Sequence, residues 1–230
     1  MNKKEFSTEL PPNEVKGFSR RNFLGLTGGL LAAGALLNAS CNNDDDDRSP
    51  APGITLTNDD IGILNYYFAL EQVGAAFYTM LVNKGFYANA TNSEKALLTD
   101  IRDHEIAHRE FWKSTVGTKA IQTLTFDFNV VDFTSRDSVL THARLLKDLT
   151  VAGYNGIASQ FRTPANLVLA AKIMSVEARH AAYIRDLLAN GSFAGNDVVD
   201  SNGLEMSKKP SIVVTAVNSY LKVKLICKLP

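Results

Sequence analysis

Two Glu-x-x-His sequences, Glu105-Ile-Ala-His108 and Glu177-Ala-Arg-His180, carry the residue types in this chain most able to do chemistry. On a helix, each places a carboxylate and an imidazole one turn apart on the same face. With only 4 His in 230 residues, two such pairs are unexpected by chance. Carboxylate oxygens and imidazole nitrogens together suit ions such as iron and manganese. When pairs of this kind face one another across a helical bundle, they hold metal in its core. The plainer reading is two solvated Glu/His pairs on a surface, so the surroundings of the motifs decide.

The elements that must position them read as helices. A first helix over Asn58–Lys84 opens at Thr57-Asn58-Asp59-Asp60 and carries Tyr67, Glu71, Gly74, Tyr78 and Leu81 as one stripe, with Gly85 as its C-cap. A second begins at the capping sequence Thr91-Asn92-Ser93-Glu94 and runs to Gly117, with Ile101, Glu105, His108 and Trp112 on one face. Residues 118–134 lack helical period, and the alternation of Leu124, Phe126, Phe128 and Val130 reads as an extended crossover. A third helix runs from Ser135 to about Gln160 and a fourth from Pro164 to Asn190-Gly191. Residues 191–206 read as loop, and Pro210–Leu221 as a short apolar helix on the outside. The fold class is therefore all-α: a ferritin-like four-helix bundle, with a long crossover between helices 2 and 3 and a short C-terminal helix.

Glu71, Glu105, His108, Glu177 and His180 all fall on the otherwise apolar stripes. Unpaired carboxylates buried in a core cost several kcal/mol each, and a cation among them removes that cost. The chain also reads as an internal duplication. The two Glu-x-x-His motifs are 72 residues apart, and Tyr154 follows Tyr78 by 76. Glu71 stands seven residues before Tyr78, but the matching position before Tyr154 is Lys147.

The segments Leu70-Glu71-x-x-Gly74-x-x-x-Tyr78, Asp103-x-Glu105-x-x-His108 and Val176-Glu177-Ala178-x-His180-Ala181-Ala182 resemble the ferritin-like family that includes the desiccation-related proteins. The resemblance covers about residues 57 to 222. It implies a carboxylate-bridged di-iron or di-manganese site, in which Glu105 and Glu177 bridge the metals while Glu71, His108 and His180 are terminal ligands. Lys147 departs from that pattern, because an ammonium has no lone pair to give and adds positive charge where a cation should sit. Three outcomes stay open: two ions with a rearranged ligand such as Asp148, one ion on the Glu71 side, or none, with Lys147 in a buried salt-bridge cluster. Asp148 itself should face Arg144. Tyr78, Tyr154 and Trp112 read as packing, and His104 and His142 as residues away from the site.

The first fifty residues read as targeting. Ser19-Arg20-Arg21-Asn22-Phe23-Leu24 is a twin-arginine signal, with Arg20 and Arg21 as its core. The glycine-interrupted apolar run Leu24–Leu37 is shorter than the roughly 20 residues of a span. It ends at Ala39-Ser40-Cys41, which resembles a lipoprotein site with Cys41 lipidated; cleavage near Ala39 to a soluble form is the alternative. The acidic Asn42–Asp47 stretch is a solvated tether, and also resembles a surface-export tag. The domain plan is 1–40 export signal, 41–56 lipidated Cys and acidic linker, 57–190 bundle, and 191–230 C-terminal loop and short helix.

Net charge is +0 with no basic patch, which argues against nucleic acid. With 2 Cys, one of them Cys41, no disulfide framework is available. The expected partners are metal ions (one or two, iron or manganese), a membrane through the lipid anchor in the periplasm, outer membrane or cell surface, and further copies of the chain in a homo-oligomer. Two functions follow: an oxygen- or peroxide-reacting oxidoreductase of stress protection, or a metal-free envelope lipoprotein with a binding or structural role.

Overall fold

The structure, a computed structural model, describes residues 53–230. Arg20, Arg21 and Cys41 therefore lie outside the described residues. A short strand β1 (Ile54–Leu56) leads into helix α1 (Asp60–Leu81), whose N-terminus is capped by Asp59 accepting from the Gly62 amide at 2.7 Å. This helix is apolar around most of its circumference and is buried on nearly every face, as a central helix must be. A one-turn helix α2 (Gly85–Asn89) follows, and then α3 (Asn92–Val116), which opens with a complete capping box between Thr91 and Glu94. Gly117, at φ +65, turns the chain out of α3, a conformation that favours glycine. Helices α4 (Arg136–Ile157) and α5 (Pro164–Leu188) complete the bundle; Ser135 caps α4, and Pro164 fits the first turn of α5. A shorter helix α6 (Pro210–Val217) and a strand β2 (Leu225–Cys227) close the chain.

Helix α1 packs along α3, α4 along α5, and α1 also meets α4, so four helices enclose one core. Residues 117–135 make the long crossover from α3 to α4. Polar residues of α1 hold it: Asn65 donates to the Lys119 carbonyl and accepts from the Ile121 amide, and Gln72 accepts from the Leu124 amide. Midway along it, Phe126 pairs antiparallel with Leu221.

Three local expectations change. Helix α1 stops at Leu81, and Gly85 begins α2 rather than capping α1. Helix α6 is not an outer decoration, because Val213, Val214 and Val217 are buried in the core against α4. Glycine makes this possible: a Cβ at Gly153 on α4 would come within 2.4 Å of the Tyr66 hydroxyl and 3.3 Å of Val213. Strands β1 and β2 form a parallel pair, Ile54 opposite Leu225 and Leu56 opposite Cys227, joining the two ends of the domain. Among the described residues, no helix is long and apolar enough to cross a membrane.

Candidate metal centre

Each of the four long helices sends one charged group or pair into the core: Glu71 from α1, Glu105 and His108 from α3, Lys147 from α4, and Glu177 and His180 from α5. The three carboxylates and Lys147 are at most 1% exposed. Their helices approach closely at Gly74, where a Cβ would meet Glu105 Oε2 at 2.0 Å. Any side chain there would push the Glu105 carboxylate out of place.

The Lys147 ammonium sits between two carboxylates, donating to Glu105 Oε1 at 2.5 Å and to Glu177 Oε2. Glu177 spends one oxygen on the ammonium and keeps the other for the opposite side. There, His108 Nδ1 lies 2.9 Å from Glu177 Oε1 and 3.6 Å from Glu71 Oε2. Glu71, Glu105, His108 and Glu177 each bring a ligand atom within 4.8 Å of all the others. His180 Nδ1 lies 3.3 Å from Glu105 Oε1 and 3.4 Å from Glu177 Oε1, too poorly aligned for a hydrogen bond.

The two halves match around the tyrosines until Lys147 intervenes. Tyr154 donates to Glu71 Oε1 at 2.6 Å and accepts from the Trp112 indole N–H at 2.6 Å, while its ring stacks on Tyr67 at 3.9 Å. Tyr78, its counterpart, has Lys147 Nζ 5.7 Å from its ring centroid, and its buried hydroxyl has no hydrogen-bond partner among the described residues. A carboxylate at position 147 would give that hydroxyl an acceptor, as Glu71 does for Tyr154. An ammonium, having no lone pair, does not.

Charge balance follows from these contacts. Burial opposes ionisation of Glu177, but Lys147 and then His108 hold its carboxyl well below the usual range. Burial likewise opposes the Lys147 charge, yet Glu105 and Glu177 keep it protonated. Glu71 is pushed up to about 7, by burial first and then by the Glu177 charge. For His108, burial is outweighed by hydrogen bonds to Glu177 and Glu71, which raise it to about 10. Without metal, protons on His108 and Lys147 thus do the work of cations.

This sets a pH dependence. The folded metal-free protein keeps the His108 proton from its ordinary value of 6.5 up to about 10, whereas the unfolded chain has lost it. The folded state binds more protons in that window, so stability must fall as pH rises through it. Glu71 acts with the same sign between 4.5 and about 7. Denaturant unfolding of metal-free protein should show a steady alkaline loss over this range. A flat profile would contradict the protonated His108.

The structure also places residues that the sequence had set aside. His104, read as facing away, has its Nδ1 3.0 Å from His180 Nε2. The signal was its spacing, since His104 precedes His108 by four residues and shares its face. Trp112 and Tyr154, read as packing, are hydrogen-bonded to the cluster through Glu71. Asp148, expected against Arg144, instead accepts from Arg185 at 2.7 Å and is not among the residues that converge on the centre. His142, away from the centre, is 2.7 Å from the Tyr220 hydroxyl.

A helical bundle with one long crossover and convergent Glu-x-x-His pairs now stands beside a direct comparison. The sequence profile described as ferritin-like domain matches residues 59–190, more than half of the chain. The chain belongs to the ferritin-like domain family. Among curated proteins, a search finds no match to it. The matched span runs from the N-cap of α1 to the end of α5, so every buried residue of the centre lies within the ferritin-like region.

Proposed function

We propose that this ferritin-like protein binds one transition-metal ion, iron or manganese, at Glu71, Glu105, His108 and Glu177, with Lys147 standing where a second ion would sit. The observation that carries this reading is the convergence of three buried carboxylates with a single lysine cation. A donor set of oxygens with one or two imidazoles suits iron or manganese. The fit differs on the two sides. On the Glu71 side, the buried Glu71 Oε2 has no hydrogen-bond partner among the described residues and faces His108 and Glu177, so a cation is accommodated. On the other side, the Lys147 ammonium already holds one oxygen of Glu105 and one of Glu177, and a second cation there is opposed. Asp148 supplies no substitute, since Arg185 holds it elsewhere.

A bound iron or manganese ion would supply a redox-active centre able to react with oxygen or peroxide. The protein's own residues prepare for it. Glu105 and Glu177 are held in place by Lys147, Glu71 is fixed by Tyr154, and His108 must release its proton to offer nitrogen to an ion. Protection against oxidative or drying stress is the role we assign, in keeping with the resemblance to desiccation-related proteins. Elemental analysis of chain purified from its native envelope, followed by peroxide consumption, tests it. We expect one ion per chain and metal-dependent consumption. Absence of metal together with full stability would favour the second reading, a metal-free charge cluster, which the Lys147 and His108 ion pairs support.

Location belongs to the same proposal. Ser19–Leu24 would direct export of the folded chain through the twin-arginine route, and Cys41 would carry the lipid. Replacing Cys41 with Ser should move the domain from the membrane fraction to the soluble fraction. Retention in the membrane with the leader uncleaved would refute lipidation.

A further inference from the structure

Among the described residues of the cluster, His108 and His180, with side chains 12% and 7% exposed, are the ones that meet solvent. Together with His104 they form a cap. The three rings are within 27° of parallel, with centroids 5.2 Å apart for His104–His180, 6.3 Å for His108–His180 and 6.4 Å for His104–His108. A groove of about 230 Å³ between α3 and α5, lined by Leu97, Asp100, His104, Arg179 and Tyr183, has His180 in its wall. His180 is thus two-sided. Its Nε2 meets His104 in the groove, and its Nδ1 lies 3.3 Å from Glu105 Oε1 and 3.4 Å from Glu177 Oε1.

We propose that this groove is the port through which the metal ion reaches the centre, with His104 and His180 as transfer ligands that hand it from solvent to the carboxylates. The proposal rests on the metal-binding reading above. Neutral imidazole nitrogens bind divalent first-row ions, and two imidazole nitrogens here stand 3.0 Å apart in a groove that Asp100 also lines. Asp100 and Arg179, one of each sign, line the groove, so the inward pull is assigned to the three buried carboxylates. An ion held by two imidazoles in contact with water is bound more weakly than one among buried carboxylates, which directs it inward. His104 itself is exposed and meets the cluster at His180 Nε2.

Rapid mixing of the full chain with Co²⁺, followed by visible absorbance, tests the port with the His104→Ala variant. A port lowers the barrier in both directions, so uptake and release should both slow by roughly tenfold while stoichiometry and Kd stay unchanged. The thermal unfolding midpoint of the variant should match that of the parent chain. Unchanged or faster uptake overturns the proposal, as does a weaker Kd, which would make His104 a positioning residue of the resting centre. If the unmodified chain takes up no Co²⁺ at equilibrium, the metal-binding reading fails, and the port fails with it. That outcome is told apart by the parent chain alone.

Discussion

Lys147→Glu is expected to raise metal content from one ion per chain toward two, the largest functional change open to a single substitution here. The ammonium now lies between Glu105 Oε1 and Glu177 Oε2 with no exposure to solvent. Exchanging it for a carboxylate removes the opposing charge, frees one oxygen on each of those residues, and adds a donor opposite Glu71. The orphaned Tyr78 hydroxyl gains an acceptor at the same time. Without metal the variant should be less stable than the parent, because four carboxylates would share a core in which His108 and His180 are, among the described residues, the partners of opposite charge. Metal at about a hundred times its Kd should return about 2.7 kcal/mol per site by mass action. Lys147→Ala should do less, clearing the charge without supplying a ligand. A Lys147→Glu chain that still binds one ion, with unfolding no more metal-dependent than the parent's, would count against Lys147 as the occupant of a metal position.

Glu177→Ala is expected to give the largest loss of stability. Glu177 is fully buried and joins the two sides, with one oxygen on Lys147 and the other on His108. Removing one partner from a buried ion pair leaves the other charge uncompensated, at a cost of about 3–5 kcal/mol. Both Lys147 and His108 lose a partner here, and a cavity opens in the core. Denaturant unfolding of metal-free protein measures the effect directly. A loss no larger than that of an exposed glutamate would mean that the cluster is far better solvated than its burial indicates.

Much of this centre is readable from sequence because helical periodicity is local. Stripes at 3.6-residue spacing place Glu71, Glu105 and Glu177 inward, and two helices, a crossover and two helices leave few ways to close the bundle. Position 147 is also legible, from the 76-residue offset that pairs Tyr154 with Tyr78. What periodicity does not carry is contact between distant segments. The β1–β2 pair joins three residues at each end of the domain, separated by 168 residues between the strands, too short and too remote for a strand signal. The Asp148–Arg185 pair spans two helices, and nothing in the spacing prefers it over the neighbouring Arg144. His104 differs: by its offset from adjacent Glu105 it faces away, yet by its offset from His108 it lies on the same side. On a crowded helix face, a residue between two stripes can serve either.

Whether one ion or two belongs to this core is the central question, and anomalous diffraction from crystals of the full chain soaked in Mn²⁺ addresses it most directly. The account predicts one anomalous peak per chain, among Glu71, Glu105, His108 and Glu177, with the Lys147 ammonium still between Glu105 and Glu177. Two peaks about 3.5–4 Å apart, the spacing of bridged metal pairs, with Lys147 displaced, would contradict it; so would a core with no peak at all.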